Sequence, residues 1–327
     1  MVSMGYFLSS EEFGPRELVR QAERAQQAGF ERLWISDHYH PWNDEQGQSP
    51  FVWSVIGALS QVTDLPVATA VTCPTMRMHP AVVAQAAATA AVQLPGRFVL
   101  GVGSGEALNE HILGDAWPAT DVRLAMLEEA VEIIRALHRG DEVNHHGEHY
   151  TVQNARIYTV PDEPVPIYVS GFGPKAARLA GRIGDGFVSV QPDADMVSAF
   201  RDAGGAGLPV QGGFKVCYAP TAEEAARTAH RLWPNEQLPG ELAQVLPTPR
   251  HFEQASTLVT PEMVADAVPC GPDPQPVVDR IRAFADAGFD HVHIQQIGPD
   301  QDGFFEFWAG EVAPRLADAG LPVAAGG

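Results

Sequence analysis

The stretch Ala28-Gly29-Phe30-Glu31-Arg32-Leu33-Trp34-Ile35-Ser36-Asp37-His38-Tyr39-His40-Pro41-Trp42 carries the chain out of a helix, through an apolar strand, and into an acid, two histidines and a tryptophan. The helix before it, Pro15 to Ala28, has its apolar residues at helical spacing, and Val2 to Leu8 ahead of that helix reads as a strand. A strand that follows a helix through a Gly-Phe turn is the rhythm of an α/β protein with a parallel sheet. Ionisable groups gathered at the carboxyl end of such a strand suggest a catalytic mouth.

The alternation continues outward from this unit. Phe51 to Val62 reads as a helix, Leu65 to Val71 as a strand, Pro80 to Gln93 as an alanine-rich helix, and Arg97 to Val102 as a strand ending in Gly103-Ser104-Gly105-Glu106. Asp121 to Leu137 is an amphipathic helix, with Leu124, Leu127, Ala130, Ile133 and Ile134 on one face. His145-His146-Gly147-Glu148-His149-Tyr150-Thr151-Val152 reads as a hairpin, inserted near residues 142–160, before a strand at Pro166 to Ser170.

Ala176 to Gly181 follows as a helix, Gly184 to Phe187 as a turn, Val188 to Val190 and Phe214 to Ala219 as strands. Residues 221–268 are helical but broken by five prolines, an irregular excursion with the length of a lid or pocket wall. Pro274 to Ala287, His291 to Gln295 and Phe304 to Leu316 close the chain as helix, strand and helix. The turn Ala287-Gly288-Phe289-Asp290 repeats Ala28-Gly29-Phe30-Glu31, as expected of a fold made from like units. About eight strands, each followed by a helical stretch, fit an α/β (β/α)₈ TIM barrel with insertions, spanning 1–327 as a single domain. An open doubly wound sheet would need Gly-x-Gly-x-x-Gly in its first unit, and the glycine run here is in the fourth.

With 45% hydrophobic residues and 19% charged, the chain can bury a large core. A net charge of −20 argues against nucleic acid or an anionic membrane surface as partner. Cys73, Cys217 and Cys270 are widely separated, without the spacing of a disulfide framework or a structural zinc site. The N-terminus shows no basic segment followed by an apolar stretch, and no apolar run reaches the roughly 20 residues of a membrane span. A cytoplasmic location is the expectation.

Reading the strand ends gives the site candidates: Asp37, His38 and Trp42; Thr72 and Cys73; Ser104, Gly105 and Glu106; Ser170-Gly171-Phe172-Gly173-Pro174; Gln191; Gln295-Gln296. A histidine and a glutamate from different strands, with ordinary pKa values of about 6.5 and 4.3, suit proton movement near neutrality. Small residues before the helix at Lys175 could cradle an anion on backbone N–H groups. Plainer readings stand beside these: His38 bonded to a neighbouring loop, Asp37 capping a turn, Trp42 in the core, Glu106 as a first-turn acid. His145, His146 and His149 with Glu148 look at first like a metal site. Alternation along a hairpin sends neighbours to opposite faces, so no metal is expected there.

Five segments together carry a resemblance: Ser36 to Trp42, Thr72-Cys73-Pro74-Thr75, Gly103-Ser104-Gly105-Glu106-Ala107-Leu108-Asn109-Glu110, Tyr150-Thr151-Val152 and Gly181-Arg182-Ile183-Gly184-Asp185-Gly186. The chain resembles the luciferase-like flavin and deazaflavin superfamily, and within it the coenzyme F420-dependent glucose-6-phosphate dehydrogenases. The resemblance implies a (β/α)₈ barrel, a homodimer, and coenzyme F420, with FMN as the alternative of the monooxygenase branch. It implies Asp37 beside the deazaflavin ring and a cis peptide at Ala70-Val71 behind it. Ser104, Gly105 and Asn109 would contact ring or ribityl chain, and Gly171, Phe172 and Gly173 the tail phosphate.

For catalysis the resemblance implies His38 as base or orienter for the substrate hydroxyl, Glu106 as the acid near the deazaflavin N1, and Trp42 as a wall over the reacting carbon. Sugar-phosphate members place lysine and threonine just after the strand that here runs into Gln191-Pro192-Asp193. A phosphate dianion without cations is poorly stabilised. The expected substrate is therefore a sugar or other alcohol lacking a phosphate. The alternatives are reduction of a ketone, enone or imine by the reduced cofactor, and FMN-dependent monooxygenation.

Overall fold

The computed structural model describes residues 2–321; Met1 and residues 322–327, the ends of the expected 1–327 domain, lie outside them. Its strands are β1 Ser3–Leu8, β2 Arg32–Ile35, β3 Val67–Thr69, β4 Phe98–Val102, β5 Val143–His146, β6 Thr151–Ala155, β7 Ile167–Ser170, β8 Gly186–Ser189, β9 Val210–Val216 and β10 His291–Gln296. Eight of them close a parallel barrel in the order β1-β10-β9-β8-β7-β4-β3-β2, while β5 and β6 pair antiparallel as a separate two-stranded sheet. The fold is the α/β barrel expected from the alternation, with helices outside and all strand carboxyl ends at one mouth.

The barrel interior is filled by flat rings. Trp34 lies parallel to His293 with centroids 4.0 Å apart, and its Nε1 donates to Gln211 Oε1 at 2.7 Å. Burial pushes the His293 imidazole well below its usual range, so the stack is a neutral one. This layer requires glycine on the two strands that flank β10. A Cβ on Gly5 would stand 2.1 Å from the His293 ring, and one on Gly213 would stand 2.6 Å from Trp34.

The same packing explains where the sequence reading placed strands too late. The strand expected at Phe214 to Ala219 is β9, four residues earlier, because Gly212 and Gly213 are strand residues whose side-chain space is taken by Phe284, Phe289 and Trp34. Gly186, read as part of a turn, starts β8 under the ring of Tyr168, 2.7 Å from where its Cβ would be. Two short helices were not anticipated, Ala107–Glu110 and Ala194–Phe200. Asp193 caps the second by accepting from the Asp195 and Met196 amides at 2.9 and 3.2 Å.

Residues 222–267 form a run of short helices with its own apolar cluster, built from Ala225, Ala229, Leu232, Trp233, Val259, Val264 and Val268 on Cys217 and Ile297. Trp42 packs against that cluster, which ties the loop after β2 to the excursion. Asn43 Nδ2 and Gln46 Nε2 both donate to the Leu232 carbonyl, at 2.9 and 2.8 Å, and reinforce the tie. Among the described residues no helix is long and apolar enough to cross a membrane.

Candidate active site

A cavity of about 480 Å³ opens at the carboxyl ends of β2, β3, β4 and β7. Asp37, His38, Ala70, Val71, Ser104, Gly105, Glu106, Asn109, Gly171, Phe172 and Gly173 all line it. Trp42 does not. Its ring packs on His38 at 5.1 Å and edge-on against Phe252 at 5.0 Å, between the histidine and the helical excursion.

The Ala70–Val71 peptide bond is cis. Beside it β4 comes close: a Cβ on Gly103 would lie 2.7 Å from Val71 Cγ2, so only glycine lets the two strand ends meet at this depth. Across the cavity Gly171 is held as tightly, its absent Cβ 2.9 Å from that of Ala176, whereas Gly173 looks onto open space at the start of the helix Pro174–Ile183. Unpaired backbone N–H groups of a first helical turn attract anions.

The cavity floor is a buried charge network. Asp37 accepts from Thr72 Oγ1 and from Arg77 Nη2, each at 2.8 Å, and Glu110 Oε2 accepts from the Arg77 backbone amide at 2.8 Å. Burial opposes the Arg77 charge, yet the attraction of Asp37 and Glu110 holds the guanidinium above its usual range. Burial raises the Glu110 carboxyl, with Arg77 pulling the other way. Burial also raises the Cys73 thiol well above its usual range, which makes it a small packed residue.

Above this floor His38 is fixed at both ring nitrogens. Nε2 lies 3.4 Å from Glu11 Oε1, and Nδ1 lies 3.1 Å from the His40 carbonyl and 3.2 Å from Asn109 Nδ2. With a proton on Nε2 toward Glu11, Nδ1 accepts from Asn109; with a second proton, Nδ1 donates to His40. Both charge states of the ring therefore find partners, as a group that takes and returns a proton requires. Asn109 also accepts the Tyr39 and His40 amides at 2.9 and 3.2 Å and donates to Glu106 Oε2 at 3.4 Å. One amide thus orders the His38 loop and the second candidate acid together.

The family model of luciferase-like monooxygenases matches residues 3–291. The chain belongs to the luciferase-like family. It is 37% identical over 333 residues to the F420-dependent glucose-6-phosphate dehydrogenase of Segniliparus rotundus, covering 96% of this chain and 98% of that one. The enzyme of the same name from Rhodococcus erythropolis is 37% identical over 336 residues, covering 98% and 99%. Among solved structures, an F420-dependent secondary alcohol dehydrogenase in complex with an F420-acetone adduct superposes with a TM-score of 0.89 at 31% identity, covering 96% and 99%.

In this luciferase-like barrel the sequence reading missed Glu11, Arg77 and Glu110 as parts of the site. Glu11 had a readable signal, since Ser9-Ser10-Glu11-Glu12 is the carboxyl end of the first strand and belongs on the same list as the other strand ends. Arg77 had none, because it reaches Asp37 from a loop past β3. His40 bonds the Leu108 carbonyl through Nδ1 at 2.9 Å and serves the loop. His145 in the hairpin pairs with Glu129 at 2.9 Å, and that carboxylate also accepts the His149 and Tyr150 amides. Among the described residues no group of three or more histidine, cysteine or acidic side chains could hold a metal ion.

Proposed function

We propose that the protein is a coenzyme F420-dependent dehydrogenase of CH–OH substrates, oxidising a neutral alcohol or sugar and working as a cytoplasmic homodimer. The observation that carries the reading is the convergence of His38 and Glu106, joined through Asn109, on a cavity backed by the cis Ala70–Val71 peptide. The full-length similarity to enzymes named for this cofactor supports it.

The residues present fit such a cofactor. Val71, Gly103 and Gly105 line one wall of the cavity where a flat ring would lie, and Phe172 and Gly173 present backbone N–H groups to a phosphate at a helix start, the Gly171 N–H being given to the Val188 carbonyl. When bound, a deazaflavin supplies a hydride acceptor. This chain's own groups do the rest. With Nε2–H directed to Glu11, His38 Nδ1 is the nitrogen that takes the proton of the substrate hydroxyl, releasing Asn109 and then donating to the His40 carbonyl. Glu106 offers a proton or a hydrogen-bond partner where negative charge grows. The Asp37–Arg77–Glu110 network keeps the floor rigid and its charges paired.

A substrate without a phosphate is supported by the strand end after β8, where Gln191 and Pro192 bring no cation and the Asp193 carboxylate is committed to its helix cap. The Glu11 carboxylate beside His38 further opposes an anion. The test is to mix the protein with oxidised coenzyme F420 and a panel of 2-propanol, glucose and glucose 6-phosphate, following loss of the oxidised chromophore. Bleaching by the neutral alcohols ahead of the phosphorylated sugar is the expected result. Bleaching by none, or binding of FMN in place of the deazaflavin, would overturn the reading, and sedimentation velocity tests the dimer.

A further inference from the structure

On β9 the residues Gln211 and Gly213 face the barrel interior, where each meets Trp34, so alternation puts Lys215 on the same inward face at the mouth end of the strand. A lysine here is a cation on the rim, yet it is not free. Its Nζ lies 2.5 Å from Glu236 Oε1 and 4.1 Å from the centre of the Trp233 ring, and only 14% of its side chain is exposed. Trp233 is held from its other end by Glu12, which accepts from the indole Nε1 at 2.6 Å. Glu12 adjoins Glu11, the partner of His38.

We propose that Glu236 sets the charge selectivity of the mouth: by holding the Lys215 ammonium it withdraws the cation from incoming substrate, so neutral alcohols enter and phosphorylated ones are disfavoured. The proposal deepens the dehydrogenase reading and rests on it for the identity of the substrate. The physics is that of a counter-ion. With Glu236 present, Lys215 is matched by one carboxylate and covered by the Trp233 ring, so no net positive charge is offered at this rim. Without the Glu236 charge the ammonium keeps its position over Trp233 and has three donors to offer an anion. Glu236 is a specificity residue in this account and touches neither His38 nor the cavity floor.

Two measurements test it on the full chain. The first titrates wild type and Glu236→Gln with inorganic phosphate, following tryptophan fluorescence against chloride at equal ionic strength; it needs neither cofactor nor turnover, so it is independent of the dehydrogenase reading. The second compares kcat/KM for glucose 6-phosphate with that for a neutral alcohol. Glu236→Gln is expected to bind phosphate about tenfold tighter and to raise the phosphorylated-to-neutral ratio by about tenfold, since charge-assisted hydrogen bonds are roughly twice as strong as neutral ones. Adding Lys215→Met should cancel both gains. Unchanged phosphate binding in a folded Glu236→Gln, or gains that survive Lys215→Met, would overturn the proposal. Lys215→Met alone gives an arm that does not depend on that variant folding: it should leave the weak phosphate binding of the wild type as it is, and a tenfold loss would show that Lys215 was never withdrawn.

Discussion

His38 Nε2 and Glu11 Oε1 stand 3.4 Å apart, one residue from the loop after β2 and the other from the loop after β1. The second Glu11 oxygen accepts from Ser36 Oγ at 2.7 Å and Ser9 Oγ at 3.0 Å, so the carboxylate that faces the histidine is itself fixed. In the proposed mechanism Glu11 acts through His38, as a positioning residue. Glu11→Gln is expected to lower kcat by about 10- to 100-fold with a smaller change in KM, and His38→Ala by about 100-fold or more, the range typical of lost general acid–base catalysis. Because the two act as a unit, the double variant should be little worse than His38→Ala alone. Steady-state bleaching of the oxidised cofactor measures all three, and fully additive losses would show the pair to be independent.

Arg77 neutralises the cavity floor. Arg77→Met would leave Asp37 and Glu110, both almost wholly buried, without their cation. Breaking a buried pair from one side costs roughly 3–5 kcal/mol, and urea unfolding should show a loss of that size together with weaker cofactor binding. The gap between variant and wild type should narrow as pH falls, because the burial that already raises the Glu110 carboxyl favours its protonation once Arg77 is gone. A gap that stays constant down to the acid transition would mean the carboxylates find other partners.

Much of this arrangement is legible in the sequence because it depends on period and on strand ends. The helix-to-strand turns at Gly29 and Gly288, both with positive φ, mark units that the barrel repeats. Asp37, His38 and Glu106 fall at strand ends and so share a mouth once the barrel closes. What escapes is what depends on distant partners. Gly212 and Gly213 read as loop because their strand is completed by rings from elsewhere in the chain. Trp42 reads as a pocket wall, while its burial is set by Phe252, some 200 residues on, in a region whose prolines hide its packing. Arg77 cannot be recognised before Asp37 and Glu110 are seen on either side of it.

The loop at Gly171 has a tolerance that can be measured. A Cβ there would sit 2.9 Å from the Ala176 Cβ and 3.0 Å from helix backbone atoms, so Gly171→Ala must push the loop away from the helix Pro174–Ile183. The expected outcome is a loss of cofactor affinity of about tenfold, with a stability cost of roughly 1–3 kcal/mol for overpacking. Gly173→Ala is the comparison: its φ of −150° is extended and no atom lies within 4 Å, so it should fold as wild type does. Fluorescence titration with the oxidised cofactor and urea unfolding separate the two effects. Equal affinity in Gly171→Ala would remove this loop from the binding site.

Glu12 gives a pH dependence whose sign follows from its surroundings. Burial drives its carboxyl from 4.5 to about 7, against the hydrogen bonds from Trp233 and the Gly298 amide that favour the charged form. The folded protein therefore holds this proton more tightly than the unfolded chain does. Between pH 4.5 and about 7 the native state binds more protons at this residue, so raising the pH through that window takes stability away, and below 4.5 or above 7 the residue adds no slope. Glu12→Gln removes the titration while keeping an acceptor for the Trp233 indole. Urea unfolding at pH 5 and pH 8 should accordingly show wild type losing ground relative to Glu12→Gln at the higher pH. A difference between the two proteins that does not change with pH would place the Glu12 carboxyl in its ordinary range and make its hold on Trp233 independent of protonation.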